Sequence, residues 1–200
     1  MEKKTTGKRR TEKLNVRDYI TTAIMFVLIF IVFVAVGAPI GMTAVGNLFV
    51  FAACAVVWGT IFLLLYTKVS KKGVVFLVGL ILAALQLVNF WGVSIFIVLG
   101  AILSELIWRK RSRRQFSTML LCFTVQITFW YLGMTIPLIF LKDLYLAALP
   151  GYETLYSGVF DLVVGPMFFA GLFATVAGCI AGALLGKFLL KKHFHKAGIV

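Results

Sequence analysis

All but one of the 20 Lys and Arg residues in this chain fall in four short clusters, and apolar stretches long enough to cross a bilayer separate them. The clusters run from Lys3 to Arg17, Lys68 to Lys72, Arg109 to Arg114 and Lys187 to Lys196; only Lys142 stands apart. Cytoplasmic flanks of spanning helices keep an excess of Lys and Arg, so the pattern predicts that all four clusters share one side of a membrane. A topology follows before any motif is considered.

Composition leads to the same class. With 62% hydrophobic residues and a mean hydropathy of +1.03, the chain has too little polar surface to cover a soluble globule. The formal charge of +13 would suggest nucleic acid in a soluble protein. Here it sits at the ends of apolar segments and predicts contact with membrane lipid, at about 1 kcal/mol per Lys or Arg near an anionic leaflet. No basic face carries base-stacking aromatics outside the apolar runs, so no nucleic-acid partner is expected.

A spanning helix needs about 20 apolar residues. The first is read as Tyr19 to Val36, closed by Gly37-Ala38-Pro39, and the second as Thr43 to Tyr66. A third runs outward from Val74 to Val88, turns at Asn89-Phe90-Trp91-Gly92, and a fourth returns from Val93 to Trp108. The fifth extends from Phe116 to Leu141 and the sixth from Leu162 to Leu190, with Lys142 to Asp161 as the one sizeable non-cytoplasmic segment. The expected fold is therefore an all-α membrane protein, a six-transmembrane-helix bundle with both termini cytoplasmic. Its parts are a basic tail (1–15), a membrane domain (16–192) and a short tail (193–200). Lys3 to Arg10 ahead of an apolar run mimics a signal peptide, and Ala35-Val36-Gly37 resembles a cleavage site. The run from Tyr19 to Val36 exceeds the roughly 7–15 residues of a signal core, so a retained span is expected. Pro137 should kink the fifth span, and Gly165-Pro166 marks irregular backbone near the outer end of the sixth.

Few residues offer chemistry. Cys54, Cys122 and Cys179 sit singly in different spans and read as small packing residues. His193 and His195 share a basic tail that repels a divalent metal, so no metal site is expected. Glu105 is the sole acid inside the apolar core; it lies four residues before Arg109, the spacing of an interfacial ion pair. No zinc-ligand cluster and no phosphate-binding Gly-x-x-x-x-Gly-Lys-Ser/Thr loop occurs, so no catalytic residue is assigned and no enzyme is expected.

Uncharged polar and aromatic residues are more informative. Gln86 and Asn89 lie on one helical face, Trp91 and Ser94 follow across the turn, and Gln126, Trp130 and Gly133 share a face of the fifth span with Thr128 and Tyr131 nearby. Together with Tyr152 in the outer segment, they could line a pocket for a small flat organic ligand. Two other readings stand beside it: Trp and Tyr form interfacial belts, and Gln or Asn bonds across helices. In the sixth span Gly178, Gly182 and Gly186, with Ala174, Ala177 and Ala181, form a small-residue stripe for close helix packing.

The basic tail, the segment Leu14-Asn15-Val16-Arg17-Asp18-Tyr19-Ile20-Thr21, the six spans and the ending Leu185-Gly186-Lys187-Phe188-Leu189-Leu190-Lys191-Lys192-His193-Phe194 resemble an S component of the energy-coupling factor (ECF) transporters, in the MptD-like or Trep_Strep group. The resemblance implies a subunit that captures a micronutrient, a vitamin-like compound or a metal chelate, from outside the bacterial cell membrane. It implies as partners a transmembrane coupling subunit (EcfT-like) and two cytoplasmic ATPases, which use ATP, with no cofactor in this chain. The first helix of such proteins slides on the coupling subunit through small residues; the matching place is Thr22, Ala23 and Val27, where Val27 departs from the small residue expected. A non-transport membrane scaffold or assembly protein is the alternative.

Overall fold

The computed structural model describes residues 13–194, and among them every regular element is a helix. The basic residues from Lys3 to Arg10, with His195 and Lys196, lie outside the described residues. The elements are α1 (Val16–Gly41), α2 (Ala44–Lys68), α3 (Val74–Gln86), α4 (Trp91–Lys110), α5 (Phe116–Phe140), α6 (Lys142–Ala147), α7 (Glu153–Val163) and α8 (Met167–Leu189). Five of them, α1, α2, α4, α5 and α8, are long and apolar enough to cross a membrane. The sixth apolar segment, α3, has 13 residues. It therefore extends about 20 Å at ~1.5 Å per residue, against a hydrocarbon layer of about 30 Å.

Two boundaries differ from those expected. Gly37-Ala38-Pro39 does not close α1. Residues Phe33–Gly37 form a π-helical turn in which the Ala38 N–H reaches back to the Phe33 carbonyl, and the helix resumes over Ala38–Gly41 with Pro39 in its opening turn. A proline inside a regular helix loses a hydrogen bond and strikes the carbonyl four residues earlier; the wider turn just before it gives the ring room. The second difference lies at the other proline. Leu162 and Val163 complete α7, the chain turns at Val164–Pro166, and the last long helix begins at Met167. Pro166 cannot continue a helix begun upstream but suits the start of a new one. The segment from Lys142 to Asp161 is accordingly mostly helical, in α6 and α7, joined through Gly151 with φ of +88°. In α5 the helix continues through Pro137.

Helix α2 is the axis of the bundle. Its closest partner is α8, while α4 packs between α3 and α5. A Cβ on Gly178 would overlap the Ala52 carbonyl, one on Gly182 the Ala55 carbonyl, and one on Gly59 the Gly182 backbone. The glycine stripe thus lets α8 touch the α2 backbone, the close approach that small residues permit between membrane helices. Helix α1 is the loosest of the long helices: it packs on α2 and only lightly on α3, leaving Ala23, Val27, Phe30, Ile31 and Val34 exposed.

The basic clusters meet at one end. Lys71 pairs with Asp18 at 2.8 Å, and Asp18 also accepts from the Asn15 N–H, capping α1. Trp108 Nε1 donates to the Lys71 carbonyl at 2.9 Å, Arg113 donates to the Ser70 carbonyl, and Lys187 sits over the Phe116 ring. Glu105 pairs with Arg109 at 2.7 Å as its spacing predicts. It does more: its carboxylate accepts from the Gly73 N–H at 2.8 Å and the Phe76 N–H at 3.4 Å, satisfying the bare first turn of α3. The three cysteines are buried and free.

Candidate functional site

At the opposite end of the bundle the helices enclose a cavity of about 320 Å³, within the size range of small-molecule sites. Its wall is built from the π-helical turn and end of α1 (Phe33, Gly37, Ala38, Gly41), the start of α2 (Asn47, Val50, Phe51), the end of α3 and the turn after it (Gln86, Asn89), the C-terminal half of α5 (Trp130, Met134) and the loop and helix that follow (Leu149, Tyr152, Tyr156). A second space of about 270 Å³ lies between α1 and α3, lined by Phe26, Ile29, Phe30, Leu82, Leu85 and Val88. Phe33, Gln86, Asn89 and Trp130 belong to both walls.

The floor is aromatic. The Trp130 and Trp58 rings stack at 5.4 Å and 7°, Phe33 stacks on Trp130 at 6.3 Å, and Phe51 tilts against Trp130 at 5.2 Å. Such offset pairs add about 0.5–1.5 kcal/mol beyond their burial, so the floor is rigid. Trp58 Nε1 donates to the Ile29 carbonyl at 2.9 Å, which anchors the stack to α1 just before its π-helical turn. That turn in turn brings Gly37 against Cys54 of α2, where a Cβ would stand 3.0 Å from the sulfur.

The rim is polar but uncharged. Asn89 Nδ2 donates to Gln86 Oε1 at 2.6 Å, Gln86 Nε2 reaches the Met134 sulfur, and Asn47 Nδ2 donates to the Gly41 carbonyl at 3.3 Å. Tyr152 is exposed, while Tyr156 packs its ring against the buried Tyr145 at 5.3 Å. Neither wall contains a charged side chain. The nearest carboxylate in the following turn, Glu153, is held below its ordinary range by its own backbone N–H and that of Gly151.

Of the residues expected to form a pocket, Gln86, Asn89, Trp130 and Tyr152 converge on this cavity. Three do not. Trp91 is half exposed on the outer side of α4, against Phe90. Tyr131 turns away from the cavity, its hydroxyl donating to the Phe168 carbonyl at 2.7 Å and its ring filling the space left by Gly171. Both tyrosine and tryptophan here serve helix packing or the interface, the competing use of aromatics in a membrane protein. Gln126 lies one turn below Trp130 and is 1% exposed, with both amide atoms lacking a partner. Trp130 Nε1 and the hydroxyls of Thr124 and Thr128 are likewise buried and unpaired. On α1, Ala23 and Val27 face outward, but Thr22 is buried, its hydroxyl donating to the Asp18 carbonyl.

Phe33, Gly37, Asn47, Phe51, Met134 and Tyr156 complete the site without having been singled out as binding residues in the sequence. Asn47 carried a signal, a lone amide at the start of a long apolar run. Phe33 and Gly37 carried none, because a phenyl ring and a glycine in an apolar run read as ordinary packing residues.

Neither a curated protein nor a solved structure matches the chain. A family model does, over residues 16–196, nearly the whole length: the Trep_Strep family, described as hypothetical bacterial integral membrane proteins. The chain, all-helical over its described residues with five helices able to cross a bilayer, is an integral membrane protein and belongs to the Trep_Strep family.

Proposed function

We propose that this protein is the substrate-capturing S component of an ECF-type ABC importer, catalytically inert by itself. One observation supports this most: a neutral cavity with an aromatic floor and an amide rim at the end of the bundle away from the basic clusters. With the basic end cytoplasmic by the positive-inside rule, the cavity faces the exterior of the bacterial plasma membrane, where a nutrient would be captured. In this reading α3 is the sixth crossing, its short length shielded by α4 and α1, and both termini are cytoplasmic. The exposed face of α1 carrying Ala23 and Val27 serves as the contact with a coupling subunit, and two cytoplasmic ATPases supply the energy. Stacking and hydrogen bonding to amides suit a vitamin-like ring compound or a flat chelate.

The test is affinity purification from the native membrane under mild detergent. Recovery of a membrane coupling subunit with two ATPases is expected; recovery of neither would abandon the transporter reading. A non-transport scaffold would use the same bare α1 face, and would bring down other membrane proteins without ATPases. Reporter fusions placing the Arg109 to Arg114 loop outside the cell would overturn the orientation.

A further inference from the structure

The two spaces at the outer end differ in character while sharing a wall, and this bears on the shape of the ligand. The first has Asn47, Gln86, Asn89, Tyr152 and Tyr156 around it. The second is bounded mainly by aliphatic and phenyl side chains of α1 and α3, the pair of helices that touch only lightly. Its outer margin is formed by Phe30, Leu85 and Val88, which are 48%, 44% and 85% exposed. Phe30 and Leu85 lie on α1 and α3, where exposed apolar side chains face the acyl chains of the lipid, and Val88 lies in the turn that follows α3. The space between α1 and α3 is therefore a lateral cleft beside the polar cavity, with Phe33, Gln86, Asn89 and Trp130 in the walls of both.

We infer that the ligand is a neutral amphiphile: a flat, carbonyl-bearing ring seated between the Trp130 stack and the amide rim, with an aliphatic tail lying in the α1–α3 cleft. This rests on the cavity being the substrate site and adds the substrate's class. Neutrality follows from walls without a charged side chain, since an unpaired ion in such a site loses its hydration without compensation. Carbonyl acceptors follow from the donors lining the cavity: the primary amides of Gln86 and Asn89 and the Tyr152 hydroxyl. The tail follows from adjacency, because a ring filling only the polar cavity leaves unfilled an apolar cleft that shares four lining residues with it. A lipid acyl chain alone in the cleft would fill it but leave the amide rim unmatched.

N-methylphthalimide and N-octylphthalimide serve as probes, being neutral, flat and identical in the ring. Binding to the purified full chain is measured by titration calorimetry, with uptake by empty detergent micelles subtracted. The native protein should bind both. Leu85→Trp, which fills the cleft from an exposed position, should weaken the octyl compound about tenfold or more, the scale of about two unburied methylenes. It should leave the methyl compound within about twofold, a change too small to reflect a lost contact. Val88→Trp blocks the cleft at its most exposed margin and should do the same if Leu85→Trp does not fold. Equal losses for both probes, or none for either, would overturn the tail's placement, and a native protein that binds neither probe would overturn the ligand class. Copurification of the coupling subunit and ATPases reports separately: its success alongside a failed probe test leaves the transporter reading standing, and its failure alongside a selective cleft effect leaves the amphiphile site standing.

Discussion

At the basic end of the bundle, Glu105 accepts from the Arg109 side chain and the Gly73 and Phe76 N–H groups, Lys71 and Asp18 pair, and Trp108 and Arg113 hold the carbonyls of the α2–α3 loop. At the other end, Trp130 Nε1 in the cavity wall has no partner, and neither amide atom of Gln126 one turn below has one. Each orphaned buried group costs about 1–3 kcal/mol. A bundle shaped by stability alone would have filled the space with leucines. The contrast teaches that the half carrying the basic clusters is tied together by ion pairs, while the half away from them holds the proposed receptacle. Orphaned hydroxyls occur at the basic end too, on Tyr66 and Thr118, so what sets the two ends apart is charge: paired ions at one, and an uncharged aromatic and amide lining at the other.

The comparison can be attacked first where it predicts most. Gly182→Leu should drive a side chain into the Ala55 carbonyl and part α8 from α2, a loss above about 4 kcal/mol. Size-exclusion chromatography of the detergent-solubilised variant should show aggregation, and a monodisperse protein of native melting temperature would mean that the helix pair does not hold the bundle together. Glu105→Gln should cost about 3 kcal/mol, since charge-assisted bonds to a helix terminus and an arginine are lost together. Thermal unfolding should register this while ligand affinity holds, which separates the two halves.

Smaller effects sharpen the cavity end. Asn89→Ala should lower ligand affinity about tenfold, one lost hydrogen bond, without altering the melting temperature; an unchanged affinity would remove the amide rim from the site. Gln126→Leu should raise stability by up to about 1 kcal/mol by removing an unpaired amide, and a fall would show that the amide has a partner the fold conceals. Smallest of all, Ala23→Leu should leave both stability and ligand capture within about 0.5 kcal/mol, as for a surface change, yet reduce the coupling subunit recovered by affinity purification.

Helix positions were largely legible because apolar length and basic flanks act locally: α2, α4 and α5 begin and end within a few residues of the expected limits. The misses fall at prolines. Pro39 and Pro166 stop a regular helix on paper, but whether the chain ends, widens into a π-helical turn or restarts depends on what neighbouring helices can accommodate. For the site, Gln86, Asn89 and Trp130 stood out as polar or amphipathic residues in apolar runs. Trp91 and Tyr131 stood out equally and face elsewhere, because a residue's type does not report which side of its helix meets the bundle.

The sequence by itself determined that this is a membrane protein, roughly where its helices lie, and that Glu105 would meet Arg109; hydrophobic length and helical periodicity act through neighbours a few residues apart. Only the tertiary structure decided that the glycine stripe of α8 seats on α2, that Glu105 also caps α3, and that a π-helical turn in α1 completes a cavity with the ends of α2, α3 and α5. Those features are contacts between residues far apart in the chain, and they exist only once the helices have chosen their partners and rotations.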